Sequence, residues 1–183
     1  LNVPADDVGL DELSAVTEAG EFSGQVLLVE DNPVNLGVVK KALFKLGLRC
    51  ETAIDGKEAL TLFERERFDI VFMDCQMPVM DGYEATRRIR HLETAESRVP
   101  TPIVAMTANA MAGDREKCMK AGMDDYLPKP VNLSELRSRV ASWLEVVDRL
   151  QRGERRAGNA EEKPTKSTPL LDEKVLSELR EIM

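Results

Sequence analysis

Short Val- and Ile-rich runs alternating with helix-length amphipathic stretches are what most limit the folds open to this chain. The runs cover residues 26–29, 49–53, 70–73, 103–106 and 125–127. Helical patterns follow at 33–46, 56–65, 82–90, 112–121 and 132–150. Ile70, Val71, Phe72 and Met73 are apolar in sequence, so a strand built from them is apolar on both faces. A strand of that kind needs cover on both sides, as in a parallel sheet whose crossovers are helices. Pro33 suits a first helical turn, and Gly47 and Gly122 stand where helices end. The alternation therefore implies an α/β doubly wound sheet.

Outside this pattern the texture changes. Residues 1–23 hold six acids and no base, and they read as an acidic linker. Residues 24–150 carry twenty acids against eighteen bases and form the domain itself. Residues 151–170 are rich in Arg, Glu, Lys and Gly without apolar periodicity, the composition of a flexible linker. Residues 171–183 put Leu171, Val175, Leu176 and Leu179 on one face of an amphipathic segment. The net charge of −8 resides mostly in the N-terminal stretch, which does not suit nucleic-acid binding. Aromatic residues are only 4% of the chain, too few for a base-stacking surface. No apolar run reaches the length of a membrane span. Cys50, Cys75 and Cys118 lack metal-ligand spacing and read as reduced core thiols, which points to the cytoplasm.

Ligands of open parallel sheets bind beyond the carboxyl ends of the strands. The first strand runs into Glu30 and Asp31, the third into Asp74, the fourth into Thr107 and the fifth toward Lys129. Three carboxylates, a hydroxyl and an ammonium thus gather on one rim. Crowded carboxylates repel one another, and a hard divalent cation relieves the repulsion. An oxygen-only donor set favours Mg²⁺ over zinc. A lysine beside such a centre would hold the oxygens of an added phosphoryl group, and a threonine would hydrogen-bond them. The residues by themselves lead to an acidic Mg²⁺ site suited to phosphoryl chemistry.

Four motifs carry a family resemblance: Val26-Leu-Leu-Val-Glu-Asp-Asn-Pro-Val-Asn35, Met73-Asp-Cys-Gln-Met-Pro-Val-Met-Asp-Gly82, Ala105-Met-Thr-Ala108 and Tyr126-Leu-Pro-Lys-Pro130. In this order they resemble the receiver domains of two-component signalling, particularly those of bacterial hybrid sensor histidine kinases. The resemblance implies a flavodoxin-like (βα)5 fold with a five-stranded parallel sheet in the order 2-1-3-4-5. It implies that Asp74 is the phosphoacceptor, with Asp31 holding Mg²⁺ directly and Glu30 holding it through water. The Gln76 carbonyl would complete the metal shell. Thr107 matches the switch hydroxyl, and Ala108 the residue whose N–H meets the phosphoryl group. Lys129 matches the family's lysine, Pro130 the proline after a cis peptide, and Tyr126 the switch aromatic.

The implied function is phosphoryl transfer from a phosphohistidine to Asp74, switching protein–protein contact. The donor would be a histidine kinase or a histidine phosphotransfer domain, within a parent hybrid kinase that a membrane could anchor. Beyond its own phosphorylation and dephosphorylation the domain would not be a stand-alone enzyme. Residues 171–183 resemble the opening helix of a phosphotransfer domain. Donor docking is expected on the first helix, through the exposed members among Asn32, Asn35, Leu36 and Val39.

The competing reading is a module that sequesters a partner, with phosphorylation only tuning affinity. A dehalogenase-type phosphatase would need Asp-x-Asp after the first strand, where Glu30-Asp31-Asn32 stands instead. Asp55 and Asp81, each before glycine, read as turn residues. His91, the only histidine, reads as a surface residue far from the rim. Met77, Met80 and Met106 read as packing and loop residues.

Overall fold

Branched side chains crowd the apolar runs because the pleated backbone gives them room and both faces of the sheet need covering. In the computed structural model, which describes residues 20–108 and 112–158, those runs form β1 (Gln25–Val29), β2 (Arg49–Ala53), β3 (Ile70–Asp74), β4 (Ile103–Thr107) and β5 (Asp125–Pro128). They alternate with α1 (Pro33–Lys45), α2 (Gly56–Arg65), α3 (Gly82–Ala95), α4 (Ala112–Ala121) and α5 (Leu133–Gly158). All pairings are parallel, and the strand order is 2-1-3-4-5. The chain divides into two compact units, residues 1–148 and 149–183; the fold and site described below lie in the first.

Two apolar layers sandwich the sheet. Val26, Leu28, Ile70 and Phe72 face Val39 and Leu43 of α1 and Leu136 and Val140 of α5. Leu27, Val29, Val71 and Met73 face Phe63 of α2, Ile89 of α3 and Cys118 of α4. Adjacent residues of β1 and β3 thus serve opposite cores, as the double-sided apolar pattern requires.

The helices start where side chains cap them. Asn32 accepts from the N–H groups of Val34 and Asn35, Asp55 from those of Lys57 and Glu58, and Asp81 from that of Glu84. The two aspartates read as turn residues are therefore N-caps. Gly47 and Gly122 follow α1 and α4 with φ of 92° and 98°, which glycine adopts without cost.

Three boundaries differ from the sequence reading. The helix α3 runs five residues past Arg90, to Ala95, with the buried Glu93 in its last turn. α5 continues to Gly158, eight residues into the stretch expected to be linker. Its continuation carries three Arg with Gln151, Glu154 and Ala157, all good helix formers, against two glycines, and extending an existing helix needs no new nucleus. The body also begins before Gly24: Phe22 packs on the α1/α5 core, and its N–H donates to Leu46 O at 2.9 Å. Residues 171–183 lie outside the described residues.

Candidate functional site

Parallel register sets the site. Val29 pairs with Met73, Asp74 with Met106, and Thr107 with Pro128. The residues just beyond these pairs, Glu30 and Lys129, stand in neighbouring rows with Asp74 and Thr107 at one rim. Strand order reverses between β1 and β3, leaving the crevice in which such sheets bind ligands.

Lys129 links the rim. Its Nζ lies 2.7 Å from Asp74 Oδ2 and 2.6 Å from Glu30 Oε2. Its own N–H donates to Thr107 O at 2.7 Å, which anchors the β5–α5 turn to the end of β4. The Lys129–Pro130 peptide is cis. Asp74 and Glu30 are buried, whereas Asp31 is exposed. Asp74 Oδ1 accepts from the Gln76 N–H at 3.1 Å. Glu30 Oε1 accepts from Asn35 Nδ2 at 3.1 Å and from the Asn32 N–H at 3.3 Å. The cap of α1 is thereby tied to the acidic pair.

Burial pushes the Asp74 carboxyl above the usual carboxylate range, and the Glu30 charge adds to the rise. Lys129 and the Gln76 N–H offset only part of it. Burial alone would lower the Lys129 ammonium, but its contacts with Asp74 and Glu30 outweigh that and raise it. The lysine is held charged between two carboxylates.

Glu30, Asp31 and Asp74 bring ligand oxygens within 4.8 Å of one another. Against the single Lys129 charge they leave a formal charge of −2, which one divalent cation neutralises. Glu30 Oε2 is buried without a hydrogen bond of good geometry; we read its close contact with Lys129 as an ion pair that leaves lone-pair capacity. The donors are all hard oxygens, so the cluster fits Mg²⁺. Beside it, Asp31, Cys75, Gln76, Met77, Pro78, Asp81 and Tyr83 line an open cleft of about 470 Å³.

Thr107 is nearly buried at the end of β4, and Ala108 is exposed just beyond it. Tyr126, half-buried on β5, has the Arg115 guanidinium 5.8 Å from its ring centroid. Met106 is fully buried, and Met77 and Met80 pack against the core. His91 is exposed on α3.

Of the residues among which the docking patch on α1 was expected, Asn32 and Asn35 are exposed and Leu36 is half-buried. Val39 is 3% exposed and belongs to the core, while the side chains of Asn32 and Asn35 are engaged in the cap and with Glu30. The outward face of α1 also carries Val34, Gly37 and Val38. A helical wheel carries that signal, since Val34, Val38, Lys41 and Lys45 recur at i, i+4, i+7 and i+11 opposite Val39 and Leu43. The sequence reading also missed the thiol pair behind Asp74, where Cys75 Sγ and Cys118 Sγ are 3.7 Å apart. Only packing across the sheet brings them together. Burial pushes the Cys75 thiol up to about 12, so it stays protonated and does not compete with the neighbouring carboxylate as a nucleophile.

Known proteins agree with this geometry. The profile of the response regulator receiver domain matches residues 26–141. Sensor histidine kinase GacS of Pseudomonas protegens is 41% identical over 131 residues, 72% of this chain and 14% of the kinase. Sensor histidine kinase RcsC of Salmonella typhi is 41% identical over 122 residues, 67% of this chain and 12% of the kinase. The chain thus spans about a seventh or less of these relatives. Among solved structures, the receiver domain of sensor histidine kinase PA1611 from Pseudomonas aeruginosa PAO1 holds a magnesium ion in its active site cleft. It is 47% identical, has a TM-score of 0.62, and the match covers 68% of this chain and 99% of that one. The receiver domain of the Saccharomyces cerevisiae response regulator Ssk1, crystallised with the histidine phosphotransfer protein Ypd1, is 35% identical. Its TM-score is 0.63, covering 65% of this chain and 87% of that one.

Proposed function

We propose a phosphoacceptor role for Asp74 in this chain, which belongs to the response regulator receiver domain family and is a receiver domain of a two-component phosphorelay. The observation that carries the assignment is the Lys129 ammonium, 2.7 Å from a buried Asp74 whose Oδ1 is already oriented by the Gln76 N–H. Asp74 is the nucleophile: a carboxylate oxygen forms a bond to phosphorus as the P–N bond of a phosphohistidine breaks. The imidazole leaves with the electron pair and takes up a proton. Glu30, Asp31, Asp74 and the Gln76 carbonyl would hold Mg²⁺, which when bound neutralises charge on the transferring group. Lys129 pairs with a phosphoryl oxygen, and Thr107 and the Ala108 N–H hydrogen-bond the others.

The donor, by this reading, is a histidine kinase or histidine phosphotransfer domain, in the same parent chain or in a partner. It docks on the outward face of α1 beside the rim, from the cytoplasmic side. No helix among the described residues is long and apolar enough to cross a membrane. An intact set of carboxylates, lysine and threonine argues against a domain that merely sequesters a partner. The test is acetyl phosphate with Mg²⁺, followed by mass analysis of the labelled peptide. Labelling is expected on Asp74 and lost in Asp74→Asn; equal stoichiometry in that variant would overturn the assignment.

A further inference from the structure

The outward face of α1 is both apolar and cationic. Val34, Val38 and Phe44 are 72%, 59% and 77% exposed, and Lys41 and Lys45 are exposed among them. At 100° per residue these five share one side of the helix with Gly37, where an added Cβ would meet nothing within 4 Å. α1 contains no acid. Lys41 and Lys45 enter no ion pair among the described residues. A surface of this kind calls for an acidic partner with apolar side chains interleaved.

Such a segment stands in the same chain. Residues 1–19 hold five acids and no base, with Val8, Leu10, Leu13 and Val16 between them. The attachment point decides in its favour. A Cβ at Gly20 would lie 2.1 Å from the Cα of Gly47, so that backbone runs directly against the turn after α1. Phe22 N donates to Leu46 O, and Glu21 pairs with Arg137 of α5. The acidic segment therefore joins the body at the carboxyl end of α1, beside Phe44 and Lys45. The helix has 13 residues and spans about 20 Å, whereas 19 extended residues reach about 60 Å. A tether that short keeps the effective concentration in about the millimolar range.

We propose that residues 1–19 cover the outward face of α1 and compete there with the phosphohistidine donor. The competition rests on the phosphotransfer reading above; the docking does not. Opposite charges steer the segment, and the apolar residues settle on Val34, Val38 and Phe44. Loading Asp74 from a protein donor then requires the cover to be displaced, while a small donor reaches the rim unhindered.

The experiment uses the whole chain and the variant D6N/D7N/D11N/E12Q, which changes no residue of the site. Amide spectra of the two should differ at Val34, Val38, Lys41 and Phe44. Raising salt from about 50 to about 500 mM should move the same signals in the wild type alone. Unchanged α1 signals overturn the proposal. Differences that grow with protein concentration also overturn it, because they place a second copy on this face. Transfer from a phosphorylated histidine phosphotransfer domain should be about two- to tenfold faster in the variant, with acetyl phosphate labelling equal in both; equal transfer rates would overturn the competition. If acetyl phosphate labels Asp74 in neither protein, the phosphoacceptor assignment fails, and the amide spectra still decide the docking.

Discussion

A Cβ at Gly82 would stand 2.1 Å from the main-chain oxygen of Asp74, so α3 begins directly against the back of the acidic rim. No flexible side-chain end can yield at that contact, since the obstructing atom is backbone. Gly82→Ala should lower stability by about 3 kcal/mol and slow acetyl phosphate labelling in the molecules that still fold. Gly37→Ala is the control, because its added methyl meets open space. There the loss of glycine from a helix interior should add about 0.5–1 kcal/mol. Urea midpoints of the two variants give the comparison.

Asp74 holds its proton more tightly folded than unfolded, since burial lifts its carboxyl above the ordinary 3.8 by more than Lys129 and the Gln76 N–H lower it. A raised folded value contributes stability that is complete below pH 3.8 and disappears as pH climbs through the folded value. At pH 7 the wild type therefore carries an ionised carboxylate its surroundings disfavour. Without Mg²⁺, Asp74→Asn should melt above the wild type at pH 7, and its advantage should shrink as the pH falls toward 4. Mg²⁺ at about a hundredfold over its Kd should stabilise the wild type by about 2.7 kcal/mol and the variant far less. Thermal melts across pH, with and without the ion, show whether both signs hold.

Arg90 ties together the end of the sheet away from the rim. It donates to Gly122 O and Thr101 O and pairs with Glu93 and Asp124 at 2.7 and 2.6 Å. Glu93 also accepts from the Thr101 N–H, and Asp124 from the Ile103 N–H. Arg90→Met would leave a buried Glu93 without its cation and should cost about 3–5 kcal/mol. Arg90→Lys should recover little, because one ammonium cannot reach four partners arranged for a planar fork. Denaturant titration measures the loss; labelling of Asp74 in the folded fraction should persist.

Thr107 and Tyr126 lie on the adjacent strands β4 and β5. A phosphoryl group on Asp74 would draw the Thr107 hydroxyl toward its oxygens, and Tyr126 would turn into the space released. Couplings of this kind amount to about 1–3 kcal/mol. Thr107→Ala should still accept phosphate from acetyl phosphate but lose the response around Tyr126. Beryllofluoride added to both proteins, followed by amide spectra, tests this; equal shifts at Tyr126 would remove the hydroxyl from the coupling.

Much of this protein follows from its sequence alone, because local patterning decides it. Ile70 through Met73 could be apolar throughout only in a strand covered on both faces, and the residues after each strand had to meet at one rim once the sheet was parallel. Glu30, Asp31, Asp74, Thr107 and Lys129 were legible for that reason. Asn32, Asp55 and Asp81 stood at the starts of helices, although the sequence did not distinguish a cap from a turn.

What remained depends on which groups the folded chain brings together across long sequence separations. Cys75 meets Cys118 and Arg90 meets Asp124 only because elements from different crossovers pack on one sheet, and Gly20 runs against Gly47 because the segment before β1 passes the turn after α1. The same packing buried Val39 and left Val34 and Val38 outside, although all three are valines on one helix. Periodicity tells which residues share a face; only tertiary contact decides which face is covered, since burial is a property of the neighbours and not of the residue.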